Sequence, residues 1–243
     1  MISSIFEPNV LQLSRAITTL SDRLLELGLA DVVISNEVND LEIAARESGK
    51  ANQVGQHFNK SLNTLPPNSV LWAGVYDVDG NCVGTVAAKY LDVRGKSLER
   101  HLVEYLERVF KSENGEQVSL NRGSISFLEL VEGPFVYVGE GHVKKEWRGK
   151  NILGLLQRLL ILAAYSRWQP NLLYGFMRPE KIRGSYHTKW GYTLARPSGF
   201  NWRSGPAEKD WFDPYFVGVG TEGICRLVWD PLGEDAFRRR ENN

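Results

Sequence analysis

The chain has 243 residues, of which 42% are hydrophobic, and 29 lysines and arginines balance 29 aspartates and glutamates. That apolar share can bury a substantial core, and the zero formal net charge argues against a protein whose main task is to coat nucleic acid or an anionic membrane. Two cysteines, no CxxC and four scattered histidines (His57, His101, His142, His187) argue against a structural zinc site and a disulfide framework, and point to reduced thiols in a cytoplasmic protein.

The start, MISSIFEPNVLQLSRA, lacks a basic region followed by an apolar block, so no signal peptide is expected. Asn9 can cap a first helix in which Leu13, Ile17, Leu20, Leu24 and Leu27 form one stripe before Gly28. DVVIS (31–35) suits a short strand. Helical signals resume near Asn39 and run, with a break at Gly49, to about Asn63, before Pro66 and Pro67 stop any helix. The segment 69–93 predicts a hairpin around Asp79-Gly80. The calcium-loop alternative for Asp77 and Asp79 lacks its closing glutamate.

Ser97 to Lys111 predicts an amphipathic helix with Leu98, Leu102, Tyr105, Leu106 and Val109 on one side. SENGEQ is a loop, SISFLELV a strand candidate, Gly133-Pro134 a turn and FVYVGEGHV the next strand. From Asn151 an apolar helix follows, with Ile152, Leu155, Leu156, Leu159 and Ala163 on one face and Leu153, Leu160 and Leu162 widening it. Gln157 and Arg158 interrupt this run, and it is too short to span a bilayer. Pro170-Asn171 breaks the chain and LLYGFM reads as a buried strand. PEKIRGSYHTKWGY reads as one short helix closing at Gly191. The segment 200–216 is dense in aromatics, GICRLVW is strand-like, and FRRRENN is a charged tail. The order of elements indicates a mixed α/β sheet covered by helices.

The turn before the apolar helix carries Lys144, Lys145, Arg148 and Lys150 around Gly149. A helix start offers unpaired N–H groups and a positive dipole end, and glycine lets the backbone approach a ligand. That combination suits a phosphate, with each charge-assisted N–H bond worth ~1.5–3 kcal/mol. The same residues also suit a solvated basic loop, and the charges alone leave both readings open. Neither a P-loop nor a GxGxxG fingerprint is present.

The run VKKEWRGKNILGLL resembles the acetyl-CoA motif of the GNAT superfamily of N-acetyltransferases, with Asn151 in place of a glycine and Leu153 in place of a small residue. SYHTKWGY resembles the family's helix-to-strand segment, with Tyr186 at its phenylalanine position and His187 at its tyrosine position. The resemblance spans roughly Val70 to Tyr192. It implies a mixed, mostly antiparallel sheet with a splayed central strand, flanked by helices. Residues 1–30 would be a helical extension, 31–235 the acyltransferase domain with an insertion at about 96–131, and 236–243 a tail.

The same resemblance implies pantetheine contacts at His142 and Val143, and pyrophosphate contacts from Arg148, Gly149, Lys150, Asn151, Ile152, Leu153 and Gly154. The co-substrate would be acetyl-CoA or another acyl-CoA, with no metal. The acceptor would be an amine on a small molecule or a protein. No nucleic-acid or membrane partner is expected, and a homodimer is compatible with the sequence.

For a lysine-like acceptor, making the neutral amine at pH 7 costs about 4.6 kcal/mol, so the site needs a proton acceptor. Glu140 is the candidate base, on the same strand face as His142 by period-two counting; an exposed strand carboxylate is the competing reading. Backbone N–H groups near Val143 suit the oxyanion. His187 and Tyr186 compete as donor to the leaving thiolate, while Tyr186 equally suits core packing. Phe200, Trp202, Trp211, Phe212, Tyr215 and Phe216 suit either an acceptor pocket or a closed core. Arg178, Lys181 and Arg183 suit an acidic acceptor, the adenosine 3′-phosphate or plain surface. The expected activity is an acyl-CoA-dependent N-acyltransferase working by direct transfer. The alternative is an acyl-CoA-binding sensor or scaffold of the same fold.

Overall fold

The computed structural model describes residues 7–50, 54–93, 95–121 and 125–233; the expected tail at 236–243 lies outside them. Helix α1 (Val10–Glu26) opens on a capping box, in which Asn9 accepts from the Gln12 amide and Gln12 accepts from the Asn9 amide. It buries Leu13, Leu20 and Leu24 of the expected stripe, with Ala16 beside them, while Ile17 and Leu27 pack half-buried against the same core. Strand β1 (Asp31–Ser35) and helix α2 (Val38–Glu47) follow.

The predicted helix to Asn63 stops early. Gly49 turns away at φ +80. Further on, Asn59 uses its side chain to accept from the Ser61 amide and hydroxyl, so turns replace helix at 59–63.

Strands β2 (Val70–Tyr76) and β3 (Cys82–Asp92) form the expected hairpin. The Asp77 carboxylate accepts from the Asp79 and Asn81 amides, which employs it in the turn. Helix α3 (Leu98–Val109) is capped by Ser97 and buries all five expected residues. Strand β4 (Ser119–Leu120) is short.

The described part of SISFLELV, 125–131, is not a strand. It holds a 3-10 turn at Ser126–Leu128. Ile125 and Leu128 are both buried, and a strand would send residues three apart to opposite faces.

Strand β5 (Pro134–Val143), helix α4 (Ile152–Trp168) and strand β6 (Leu172–Met177) match expectation. The predicted single helix after β6 is two, α5 (Pro179–Arg183) and α6 (Tyr186–Lys189), parted by Gly184 and a left-handed Ser185. Strands β7 (Leu194–Pro197), β8 (Trp202–Ser204) and β9 (Tyr215–Val219) precede helix α7 (Thr221–Trp229). GICRLVW, with Cys225, is therefore helical. Its β-rich composition gives way to packing, because Ile224 and Leu227, three apart, are the pair buried among α1 and α4.

The main sheet runs β1-β2-β3-β5-β6-β9-β7 and is antiparallel except between β5 and β6. Helices α1, α4 and α7 cover one face. The other carries α2, α3 and the aromatic segment. Helix α4 lies between the sheet and α1, and from Gly154 to Tyr165 every residue is buried. No described helix is long and apolar enough to cross a membrane.

Candidate active site

The site begins where two strands part. β5 and β6 pair over only three positions, Phe135 with Leu172, Val136 with Leu173 and Tyr137 with Tyr174. Beyond these, β6 stays paired to β9 as far as Met177, while β5 stays with β3 as far as Val143. A cleft therefore opens between two strands that each keep their other neighbour. Its apex is tight: a methyl on Gly175 would meet the Val138 carbonyl oxygen at 2.6 Å. Glu140 adds a bulge. Its φ is +60, and the β3 register shifts between Thr85–His142 and Ala87–Gly139.

At the open end, the chain leaves β5 through a 3-10 turn (Lys145–Trp147) and enters α4. Gly149 has φ +88 and Asn151 φ +57, backbone shapes that glycine and asparagine tolerate best. Asn151 makes no side-chain cap. The first helical bond runs from Leu155 to the Asn151 carbonyl. The amides of Ile152, Leu153 and Gly154 thus have no helical acceptor, and among the described residues no protein acceptor is recorded for them.

Arg148 folds back, its Nε donating to the Val143 carbonyl at 3.1 Å. Lys150 lies over the Trp147 ring at 4.5 Å. Leu153 runs under β5, within 3.3 Å of where a Gly141 methyl would stand, so its bulk faces the strand rather than the turn.

Glu140 and His142 do share a face. Both reach the segment after α2. The Glu140 carboxylate is ion-paired with Lys50 and accepts from the Gly55 amide at 2.9 Å. His142 Nε2 lies 3.0 Å from the Ser48 carbonyl oxygen. A carbonyl can only accept, so Nε2 carries the proton and Nδ1 is the free lone pair of the neutral ring. Burial lowers the His142 pKa against the opposing pull of the Ser48 bond, and Arg148 and Lys50 lower it further.

Tyr186 is 38% exposed, between Lys181 and Lys189 and edge-on to Trp190; the core-packing alternative does not hold. His187 Nδ1 is buried with no hydrogen-bond partner among the described residues, and burial lowers its pKa. The hydroxyl at the cleft apex is another one, that of Tyr192. Its Oη is 3.4 Å from Gln157 Oε1 and would be 3.4 Å from a Gly175 methyl. Burial pushes its pKa up, which keeps it protonated. Sequence reasoning treated Gln157 only as an interruption of an apolar helix; a polar side chain on a buried helix was the available signal.

The aromatic segment mostly closes the core. Phe200 and Phe216 are buried, Trp202 Nε1 donates to the Trp211 carbonyl, and Phe212 is exposed. Arg178 is ion-paired with Asp210. Among the described residues no group of three or more His, Cys, Asp or Glu is placed to hold a metal.

No protein-family model matches the sequence, and no curated protein matches it. Solved structures do match. An N-acyl amino acid synthase from uncultured soil microbes is 10% identical over 79% of this chain and 90% of its own, with a TM-score of 0.44. A spermidine N-acetyltransferase mutant from Vibrio cholerae is 10% identical over 80% and 96%, at 0.45. An aminoglycoside acetyltransferase in complex with coenzyme A and kanamycin is 12% identical over 81% and 98%, at 0.42. The solved structures this chain resembles include N-acetyltransferases. At these identities and scores the likeness concerns the chain path alone, and chemistry must come from the cleft.

Proposed function

We propose that this protein is an acyl-CoA-dependent N-acyltransferase, moving an acetyl group from acetyl-CoA to a primary amine by direct attack. The observation that carries the reading is the parting of β5 from β6 beside a helix start whose amides have no acceptor among the described residues. A pantetheine arm fits the first feature and a pyrophosphate the second. In this reading Gly149 to Gly154 and Arg148 hold the pyrophosphate, and His142 and Val143 border the arm. Residues 31–235 form the catalytic domain, with 1–30 and about 96–131 as additions to it.

The thioester supplies an activated carbonyl. Amides of the bulged strand that point away from β3 face the side β6 has left, and serve the oxyanion. We assign proton acceptance to His142 Nδ1, the open lone pair on the same face as Glu140. The Glu140 carboxylate, engaged by Lys50 and Gly55, holds the covering segment and polarises that face. Tyr192 Oη donates to the departing sulfur, a role in which His187 is the competitor. The amine nitrogen bonds to the carbonyl carbon, the carbon–sulfur bond breaks, the amine proton goes to His142 and the hydroxyl proton to sulfur.

A non-catalytic acyl-CoA sensor remains the second reading, favoured by His187 where the resemblance has tyrosine. Two measurements separate them. Acetyl-CoA should raise the melting temperature under either, and Arg148→Glu should abolish that rise with the fold intact. Thiol release with a panel of amines selects the enzyme; binding without turnover across the panel selects the sensor. No acetyl-CoA shift in the parent protein refutes both.

A further inference from the structure

On the same sheet face as Glu140 lies a second polar centre that the acyl-transfer reading leaves unused. Lys89 stands on β3 opposite Tyr137 of β5 and is 7% exposed. Its ammonium donates to Asn63 Oδ1 at 3.3 Å and lies 5.9 Å from the centre of the Tyr105 ring. Arg108 donates to the same Asn63 oxygen at 3.2 Å and sits over the same ring at 5.4 Å. Two cations thus converge on one neutral oxygen, and Arg108 also donates to the Leu62 carbonyl. Among the described residues no carboxylate lies within ion-pair reach of either. Burial, with the like charge of Arg108, pulls the Lys89 pKa to about 8. Buried charge is ordinarily paired, and among the described residues Lys89 meets only the neutral Asn63 oxygen.

The cations open on a cavity of about 480 Å³ lined by Asn63, Lys89, His101, Tyr105 and Arg108, with Lys60 at its rim. Tyr105 Oη is buried, and Asn63 is the polar side chain acting on it among the described residues. Behind Tyr105, His57 stacks between it (4.4 Å) and Tyr137 (3.6 Å), its Nε2 without a hydrogen-bond partner among the described residues. An anionic group in the cavity would answer both cations and offer an acceptor to Tyr105 Oη.

Resting on the acyl-transfer reading, we propose that this cavity is an acceptor subsite, and that the acceptor is an amine bearing a carboxylate or phosphate group held by Lys89, Arg108 and Tyr105. Lys89 lies two residues along β3 from Ala87, the partner of Gly139 beside the bulge. That is about 7 Å of strand, a distance one small molecule covers between its amine and its acid.

The test uses the full chain and two probes, inorganic phosphate and acetate, with sodium chloride at matched ionic strength as control. At least one probe should raise the melting temperature saturably where chloride does not. Arg108→Gln, at an exposed side chain that spares the fold, should weaken that binding at least tenfold and leave the acetyl-CoA shift unchanged. Lys89→Met should abolish it. In turnover, matched pairs should differ at least tenfold in kcat/KM: an amino acid over its amide if carboxylate is read, phosphoethanolamine over ethanolamine if phosphate is read. Arg108→Gln should erase the difference. Equal responses to probe and chloride, or an unaltered Arg108→Gln, overturn the subsite. Loss of the acetyl-CoA shift in the parent overturns the underlying reading instead, so the two failures are distinct.

Discussion

Arg158 lies on α4, 7% exposed, and its guanidinium donates to four main-chain carbonyls. Lys189 and Pro231 accept at 2.8 Å, Thr188 at 3.2 Å and Asp230 at 3.3 Å. The side chain therefore satisfies the end of α6 and fastens the segment after α7. Arg158→Met keeps the volume and removes every donor. Two short charge-assisted bonds at ~1.5–3 kcal/mol each give about 3–6 kcal/mol. A methionine returns ~1–2 kcal/mol through its apolar burial. The net loss should be about 1–5 kcal/mol, which for a chain of this size lowers the melting temperature by roughly 2–20 °C. Urea denaturation would read the loss, and hydrogen exchange should rise most at residues 186–191. Arg158→Lys should recover less than half, because an ammonium cannot span four acceptors held by a planar fork. A loss under about 1 kcal/mol in Arg158→Met would refute the assignment of these bonds as the tie on α6.

Four further outcomes follow from the same geometry. Lys50→Met should cost about 3 kcal/mol by stranding a carboxylate whose side chain is 6% exposed; adding Glu140→Gln should restore most of it, as a double-mutant cycle in urea would measure. The rate should fall on acidification along a limb below pH 6.5, because the lowered His142 pKa keeps its ring neutral above that range; His142→Gln should remove the limb, and a pH–rate comparison identical to the parent would discard the base. Stability itself should fall as pH drops below 6.5. His57, held well below 6.5 by burial, and His101, at about 4 mainly through burial, are both neutral when folded, so the unfolded chain takes up protons first. His57→Phe keeps the stack on Tyr137 and should lessen the fall of the urea midpoint between pH 7 and pH 5, with His101 carrying the remainder. Gly149→Ala should cost only about 1–2 kcal/mol, since φ is +88 but no atom lies within 4 Å of the added methyl.

The features carried by strong local signals were legible. The Asn9 cap and leucine stripe of α1, the Asp-Gly hairpin, and the apolar α4 behind a basic turn each combine periodicity with a terminating residue. Where two physical preferences compete, the sequence misleads. GICRLVW is β-rich in content yet buries residues at helical spacing, and SISFLELV buries Ile125 and Leu128. Asn59 diverts its backbone into turns that a hydrophobic count does not register. At the candidate site, the motif residues are near one another in sequence, but the charges that act on them come from far along the chain. Lys50 meets Glu140 across 90 residues, and Gln157 meets Tyr192 across 35. Lys89 read as one more strand residue until α3 brought Arg108 and Tyr105 over it. Such pairings are fixed by register and helix placement, which no local window contains.

The sheet order has an implication for synthesis. β9 sits between β6 and β7, so the half of the sheet beyond β6 cannot assemble until residues 215–219 have left the ribosome. Until then the nascent chain presents Leu173 to Met177 as an unpaired, apolar edge. A stop codon near Trp211 would leave that edge permanently bare, and its product should be captured by chaperones and cleared rather than persist as a shortened protein.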